Sequence, residues 1–167
     1  VYKRQLLLGA MLLLFSISTP STLTAQSLQD AQALVETTIG NAVLVLQSEK
    51  LSTQDKRQKI ETMLLPFFDF TLITKLVVGR QHWAKITLED RKRLTKTLKS
   101  FMTNLYLDRI LEFGNESIIY KKGNAIGKRK FHIPVVVTDG KQSYNMMYKL
   151  YYKKAWHAYD FDFEGIS

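Results

Sequence analysis

The spacing of the apolar residues changes between Phe113 and Glu116. Before this point apolar positions recur every three or four residues, which is the spacing of helices that bury one face. After it they alternate with polar residues, as in strands that bury one face. No internal repeat or low-complexity linker separates the two halves. Helices followed by consecutive strands predict the α+β class.

Four helix starts are indicated by capping residues. Three of them are a Ser or Thr followed three positions later by Asp, and the fourth is an Asp before a shorter helix: Ser27, Ser52, Thr87 and Asp69. Pro66 ends the second helix and Gly79 the third. The first helix is expected to bury one face: Leu28, Ala31, Val35, Ile39, Ala42 and Leu46. The longest helix is expected to bury another: Leu94, Leu98, Phe101, Leu105 and Ile110.

The second half predicts an antiparallel meander. Its four strand candidates are Glu116–Lys121, Lys128–Val137, Ser143–Tyr152 and Trp156–Ile166. The dipeptides that would form the hairpin turns between them are Gly123-Asn124, Asp139-Gly140 and Lys153-Lys154. The sequence therefore predicts N-terminal helices packed on a curved, four-stranded antiparallel meander sheet that encloses an apolar pocket.

The first 25 residues have the layout of a secretory signal peptide. Two basic residues, Lys3 and Arg4, precede an apolar run from Leu6 to Ile17, and Ala25 lies at the expected cleavage position. The apolar run is shorter than the ~20 residues that a membrane-spanning helix needs. The sequence thus predicts export and cleavage near Ala25, followed by a single α+β domain over residues 26–167.

Composition narrows the kinds of chemistry that the chain can perform. It has 167 residues, no Cys and a net charge of +9. Thiol catalysis, disulfides and Cys-based metal sites are therefore excluded. The positive charge allows anionic partners of several kinds, but the signal peptide argues against nucleic acid. Three His residues have no second ligand at metal-binding spacing, so a metal site is not expected: His82, His132 and His157.

Three acids near the C-terminus form the strongest pattern for an enzyme. Asp160, Asp162 and Glu164 would share one face of a strand, with neighbours about 7 Å apart. That separation is compatible with a carboxylate pair in a glycoside hydrolase. The same alternation is typical of a half-exposed strand whose aromatic residues pack inward and whose acids face water. A secreted carboxylate-dependent hydrolase therefore stays as an alternative.

The apolar faces of the predicted sheet allow two further interpretations. Large residues alternate along two neighbouring strands and could fill a core, as in an adaptor domain of the cell envelope. They could also line a cavity for flexible acyl chains, for which Met is well suited. The sequence pattern does not separate these two possibilities.

Leu64 to Leu111, together with the C-terminal WHAYDFDFEGIS, resembles the MlaC (toluene-tolerance) family of periplasmic phospholipid-binding proteins. The matching positions are Pro66, Phe68, Asp69, Phe70, Leu76, Val78, Gly79, Arg80, Trp83, Thr87, Phe101, Leu105, Tyr106, Trp156, Tyr159, Asp160, Glu164, Gly165 and Ser167. Family members usually continue past this last segment, so the chain is expected to lack a C-terminal portion. A branch of the family is associated with hopanoid synthesis, which leaves the lipid class open.

The resemblance implies a non-enzymatic periplasmic carrier that shields the acyl tails of a phospholipid and moves it between the outer and inner membranes. It implies two protein partners, an outer-membrane lipoprotein–porin complex and an inner-membrane MCE-domain protein of an ABC transporter complex. No cofactor besides the bound phospholipid and no nucleic acid is expected, and the carrier is expected to be a monomer. The residues expected to contact lipid are Leu76, Phe101, Leu105, Tyr106, Val135, Val137, Met146, Tyr148 and Leu150.

Overall fold

The computed structural model describes residues 21–113 and 116–165 and has the α+β architecture predicted from the sequence. Its helices are α1 (Ser21–Leu46), α2 (Thr53–Leu64), α3 (Phe70–Val78), α4 (Arg80–Lys85) and α5 (Leu88–Glu112). A 3₁₀ turn, Leu65–Phe67, follows α2. The strands are β1 (Ser117–Tyr120), β2 (Asn124–Gly127), β3 (Lys130–Thr138), β4 (Ser143–Lys153) and β5 (Ala155–Phe163). Residues 1–20 of the predicted signal peptide lie outside the described residues.

The described sheet has five strands, so the predicted four-stranded meander is wrong in one respect. Both β1 and β2 pair antiparallel with β3, while β4 and β5 follow in meander order. The predicted turn at Gly123-Asn124 is instead a break between two short strands. Gly123 is required there because a Cβ atom would meet Ile133 Cδ1, which is fully buried, and would lie 3.1 Å from the His132 carbonyl oxygen.

The other two predicted hairpin turns are confirmed. Asp139 Oδ1 accepts hydrogen bonds from the backbone N–H groups of Lys141 and Gln142, and Gly140 has a φ of +86° between β3 and β4. These backbone donors lower the pKa of Asp139. Lys154 links β4 to β5 with a φ of +62°. A single residue is enough for this connection because β4 and β5 pair directly up to Lys153 and Ala155.

Three of the four predicted helix starts are confirmed by their capping hydrogen bonds. Ser52 Oγ accepts from the Asp55 N–H at 3.1 Å, and Thr87 Oγ1 accepts from the Asp90 N–H at 3.1 Å. Asp69 caps α3 in the same way. The start predicted at Ser27 is wrong because α1 already begins at Ser21. Helix α4, between Gly79 and Thr87, was not predicted.

The main hydrophobic core lies between α1 and the sheet. Ala31 and Val35 of α1 are completely buried against Phe131, Ile133 and Leu150. A second core joins the three long helices and contains Leu46, Ile60 and Leu107. The predicted buried face of α1 is therefore confirmed, and burial of these side chains is the main favourable contribution to folding.

Three of the five residues in the predicted core stripe of α5 are exposed, whereas Leu98 is half-buried and Ile110 packs against the second core. Leu94, Phe101 and Leu105 are 37%, 61% and 47% exposed, whereas Leu107 is 4% exposed and belongs to the second core. Several apolar residues of α5 lie off this stripe, and the tertiary contacts decide which of its faces is covered. Helical spacing shows that residues share a face, but it does not show which face meets the core.

Asp69 connects the start of α3 to the edge of the sheet. Its N–H donates to the Ala158 carbonyl of β5 at 2.9 Å, while Oδ1 accepts from the Leu72 N–H at 2.9 Å. The Tyr151 hydroxyl donates to Oδ2 of the same carboxylate. Burial, followed by this hydrogen bond, raises the pKa of Tyr151 to about 12. The contact fixes the Phe67–Phe70 segment against β5.

Candidate functional site

A cavity of about 710 Å³ lies between the helices and the inner face of the sheet. Its lining comes from α1, α2, the 3₁₀ turn, the start of α3, α5 and strands β4 and β5. The volume falls within the roughly 300–1,000 Å³ typical of ligand sites. The apolar side chains of its lining include Val35, Ile39, Leu64, Phe67, Phe68, Met102, Leu107, Ile110, Met146 and Phe163.

An aromatic wall separates the cavity from the core. The ring centroids of Tyr148 and Phe161 are 5.0 Å apart, and that of Tyr148 lies 6.2 Å from Phe67. On the helical side, Tyr106 of α5 meets Phe161 edge-on at 6.1 Å. Such tilted and edge-to-face pairs pack favourably, and all four of these aromatic residues line the cavity. The wall is suited to apolar, flexible groups.

The Tyr148 hydroxyl contributes polarity to this wall without charge. Burial raises the pKa of Tyr148 well above its ordinary value, and the nearby Tyr120 adds a smaller effect in the same direction. The phenol is therefore neutral at every physiological pH. A neutral hydroxyl next to an apolar ligand avoids the large cost of a buried charge.

Charged residues also contribute to the lining. Arg109 and Glu112 of α5 are exposed, as is Asp139 in the β3–β4 turn, and Glu61 and Glu116 are half-buried. Exposed side chains that line a cavity lie at its opening. The cavity thus combines an apolar interior with a charged opening, an arrangement suited to an amphipathic ligand.

The nine residues expected to contact lipid fall into three groups in the structure. Four of them line the cavity: Leu105, Tyr106, Met146 and Tyr148. Three lie in the buried interior and are not among the lining residues: Val135, Val137 and Leu150. The remaining two, Leu76 and Phe101, are 54% and 61% exposed on α3 and α5. Alternation along a strand does not tell which inward side chains face a void and which fill the core.

Sequence reasoning missed the contribution of the turn between α2 and α3. Phe67, Phe68 and Phe70 all line the cavity, and their rings form a chain with centroids 5.4 and 5.9 Å apart. A cluster of aromatic residues directly after a helix-ending Pro66 was the available signal. The hydrogen bonds that join Asp69 to Ala158 and Tyr151 hold this cluster beside the sheet.

The acid row of β5 lies on the opposite face of the sheet from the cavity. Phe161 and Phe163 line the cavity, and side chains alternate, so Asp160 and Asp162 point away from it. Lys149 Nζ donates to Asp160 Oδ2 at 2.7 Å, and Asp162 Oδ1 accepts from the Gly165 N–H at 2.7 Å. Glu164 is no longer in the strand and its carboxylate accepts from the Asn145 N–H. Each of the three acids therefore accepts a hydrogen bond from within the protein.

Tyr159 departs from the predicted alternation. It lies in a bulge of β5 between the residues paired with Lys149 and Leu150. Its ring contacts Tyr151, with centroids 6.0 Å apart, and Lys130 Nζ lies 5.2 Å from the ring centroid. Of the three aromatic residues that alternate with the acids in the sequence, Phe161 and Phe163 therefore line the cavity and Tyr159 does not.

His132 belongs to a polar row on the outer face of the sheet. It pairs across β3 and β4 with Lys149, which pairs in turn with Asp160 of β5. Burial and then the positive charge of Lys149 lower the pKa of His132, while Asp160 acts in the opposite direction.

Within residues 21–113 and 116–165, no group of His, Asp and Glu residues has the geometry of a metal site. No helix in these ranges is long and apolar enough to cross a membrane.

Comparisons with known proteins agree with this architecture. A family model described as "MlaC protein" matches residues 36–167. A solved structure from Ralstonia solanacearum, described as a phospholipid-binding protein in complex with a phospholipid, superposes with a TM-score of 0.70. The two chains share 20% sequence identity, and the match covers 81% of this chain and 78% of the other. At this identity the likeness establishes the fold. No curated protein matches the chain.

Proposed function

We propose, from the premise that this chain belongs to the MlaC family, that it binds a phospholipid in its cavity and carries it through the periplasm. The observation that carries the proposal is the 710 Å³ cavity with an apolar, aromatic interior and a charged opening. The related fold from Ralstonia solanacearum holds a phospholipid, which supports the same class of ligand here.

The physical requirement for such a carrier is to keep acyl tails out of water. Each exposed CH₂ group costs about 0.8 kcal/mol, so a free diacyl lipid crosses an aqueous compartment very rarely. The aromatic wall and the aliphatic residues of α1, α2 and α5 would cover the tails, and the polar headgroup would remain at the charged opening. Binding and release of this kind need no covalent chemistry.

In the complete pathway we propose, the carrier exchanges lipid with an outer-membrane lipoprotein–porin complex and with an inner-membrane MCE-domain protein of an ABC transporter complex. This exchange would maintain the lipid asymmetry of the outer membrane. Export by the N-terminal signal, cleavage near Ala25 and action as a monomer form part of the same proposal. The basis for the partners and the monomeric state is the family relationship, and the basis for export and cleavage is the sequence of the first 25 residues.

Native mass spectrometry of the purified protein tests the binding step. We expect a complex whose added mass equals that of a phospholipid and whose lipid is recovered by organic extraction. Protein that remains lipid-free after incubation with excess phospholipid vesicles would contradict the proposal. The exchange step is tested by transfer of a labelled phospholipid to the reconstituted MCE-domain complex, with a carrier-free reaction as the control.

A further inference from the structure

Positive charge is concentrated in one part of the structure. Residues 71–99, which run from α3 through α4 into the first half of α5, carry eight basic and two acidic residues, a net charge of +6. The other described residues carry 14 basic and 13 acidic residues, a net charge of +1. Because α3 packs against both α4 and α5, residues 71–99 form one unit, which we call the basic lobe.

Most cations of the basic lobe are directed to solvent. Arg91 is half-buried, donates to the Trp83 carbonyl oxygen at 3.1 Å and lies over the Trp83 ring. Within residues 21–113 and 116–165, Arg93 is the one cation of the lobe in an ion pair, with Asp90. The positive charge is therefore available to an external partner. Seven of the eight cations are exposed: Lys75, Arg80, Lys85, Lys92, Arg93, Lys96 and Lys99.

Three of these cations share one face of α5. Lys92, Lys96 and Lys99 follow one another at intervals of four and three residues, which makes them neighbours on the helix surface. Exposed aliphatic side chains accompany the cations of the lobe: Leu76, Val77 and Leu88 are 54%, 70% and 67% exposed. Cations combined with exposed aliphatic groups are the two features by which helices bind the interface of an anionic bilayer.

Acidic residues lie at the other end of α5. Glu112 is in its last turn, and it lines the cavity opening together with Glu116 and Asp139. The 20 positions between Lys92 and Glu112 correspond to about 30 Å along the helix axis. Since the Debye length is about 8 Å at physiological ionic strength, these acids do not neutralise the basic lobe. An anionic surface would therefore attract the basic lobe and repel the opposite end.

We propose that the basic lobe docks the protein on the surface of an anionic phospholipid bilayer. The inference goes beyond the proposed function, because docking does not require a lipid in the cavity. A bilayer fits this surface better than an acidic protein does. Five of the eight cations are Lys, which is depleted in protein interfaces, whereas Lys and Arg contribute similarly to binding an anionic membrane.

Cosedimentation with vesicles measures docking. The exported, processed protein is mixed with sucrose-loaded vesicles that contain phosphatidylglycerol and phosphatidylcholine in equal amounts, or phosphatidylcholine alone. We expect it to bind the anionic vesicles at about 0.1 M salt and to be released at about 1 M salt, where the Debye length falls to about 3 Å. Equal binding to both kinds of vesicle would overturn the proposal.

Substitution of three Lys residues tests whether the basic lobe is the docking surface. The lobe variant combines Lys75→Gln, Lys92→Gln and Lys96→Gln, which remove exposed cations that do not line the cavity. Lys99 is retained, because its Nζ atom lies 5.8 Å from the ring centroid of Phe70, which lines the cavity. Each Lys near an anionic bilayer strengthens binding about fivefold, so we expect the lobe variant to bind about a hundredfold more weakly. Lys96→Gln alone should lose about fivefold and keeps the test valid if the triple variant does not fold.

A variant with Lys121→Gln, Lys128→Gln and Lys153→Gln is the matched control. These residues are exposed, lie outside the basic lobe and change the net charge by the same amount. We expect the control to bind within about threefold of the wild-type protein, because charges further than a Debye length from the bilayer contribute little. Equal losses in the two variants would show that net charge alone governs binding and would overturn the proposal. A wild-type protein that does not bind anionic vesicles would also overturn it and would favour an acidic protein as the partner of this surface.

Native mass spectrometry of the same variants measures lipid in the cavity separately. We expect the lobe variant to hold a phospholipid as the wild-type protein does, because none of its three substituted residues lines the cavity. Docking without a cavity lipid would support this inference and contradict the proposed function. A lipid-loaded wild-type protein that does not dock would do the reverse.

Discussion

Replacing Met146 with Glu should abolish lipid binding at neutral pH and restore much of it at acidic pH. Met146 is half-buried, lines the cavity and lies two residues from Tyr148 on the same face of β4. A carboxylate at this position would face the acyl tails of the bound lipid. An ionised carboxylate next to hydrocarbon is so unfavourable that the side chain would bind a proton instead.

The cost of that protonation sets the magnitude of the effect. The ordinary pKa of Glu is about 4.3, and each pH unit above it adds about 1.36 kcal/mol to the free energy needed to keep the group neutral. The penalty is therefore about 4 kcal/mol at pH 7, or a several-hundredfold loss of affinity, and about 1 kcal/mol at pH 5. Because the pKa is raised in the complex, affinity is lost as the pH rises above 4.3.

Met147→Glu is the matched control, since Met147 is also half-buried but points to the opposite face, where it pairs with Pro134 and Asp162. Titration with a fluorescent phospholipid at pH 7 and pH 5 measures both variants, and circular dichroism checks their folding. We expect the affinity of Met146→Glu, relative to Met147→Glu, to rise about a hundredfold between pH 7 and pH 5. Equal affinities of the two folded variants at pH 7 would refute the location of the lipid.

Three further predictions concern stability, each measured by urea or thermal unfolding. Tyr151→Phe removes a hydrogen bond to the Asp69 carboxylate and should lower the free energy of unfolding by about 1–2 kcal/mol. An unchanged free energy of unfolding would show that this contact does not stabilise the position of α3. The lowered pKa of His132 means that protonation favours the unfolded chain, so stability should fall as the pH drops through 6.5, and His132→Gln should flatten this dependence. Gly123→Ala should lower the free energy of unfolding by roughly 1–3 kcal/mol, because the added methyl group overpacks the core. Gly40→Ala, in a helix with open space around it, should raise the free energy of unfolding by about 0.5–1 kcal/mol. Equal effects at the two glycines would contradict the close packing at Gly123.

Local signals predicted the class of fold and several element boundaries. Ser52, Asp69 and Thr87 were correctly identified as helix caps because a cap depends on residues only three positions apart. The turn at Asp139-Gly140 was predicted for the same reason. The buried face of α1 was also predictable, since α1 packs directly on the sheet with a regular apolar stripe.

Strand pairing and helix orientation required the tertiary structure. The break at Gly123 looks like a hairpin turn in the sequence, and it becomes a gap between β1 and β2 only because both strands pair with the same edge of β3. On α5, the stripe through Phe101 was a reasonable core face, but its neighbours cover the side that contains Leu107. The number of apolar positions on a helix exceeds the number that its contacts can bury.

The sequence by itself determined an α+β domain with an apolar inner sheet face, because burial patterns and turns depend on neighbouring residues. Only the tertiary structure decided that Met146 and Tyr148 line a cavity while Val135 and Leu150 fill the core. All four belong to the same two strands, and they have similar apolar character. The difference arises from what lies opposite them. Phe67 and α1 pack against part of the sheet, whereas α5 stands away from the rest and leaves a space.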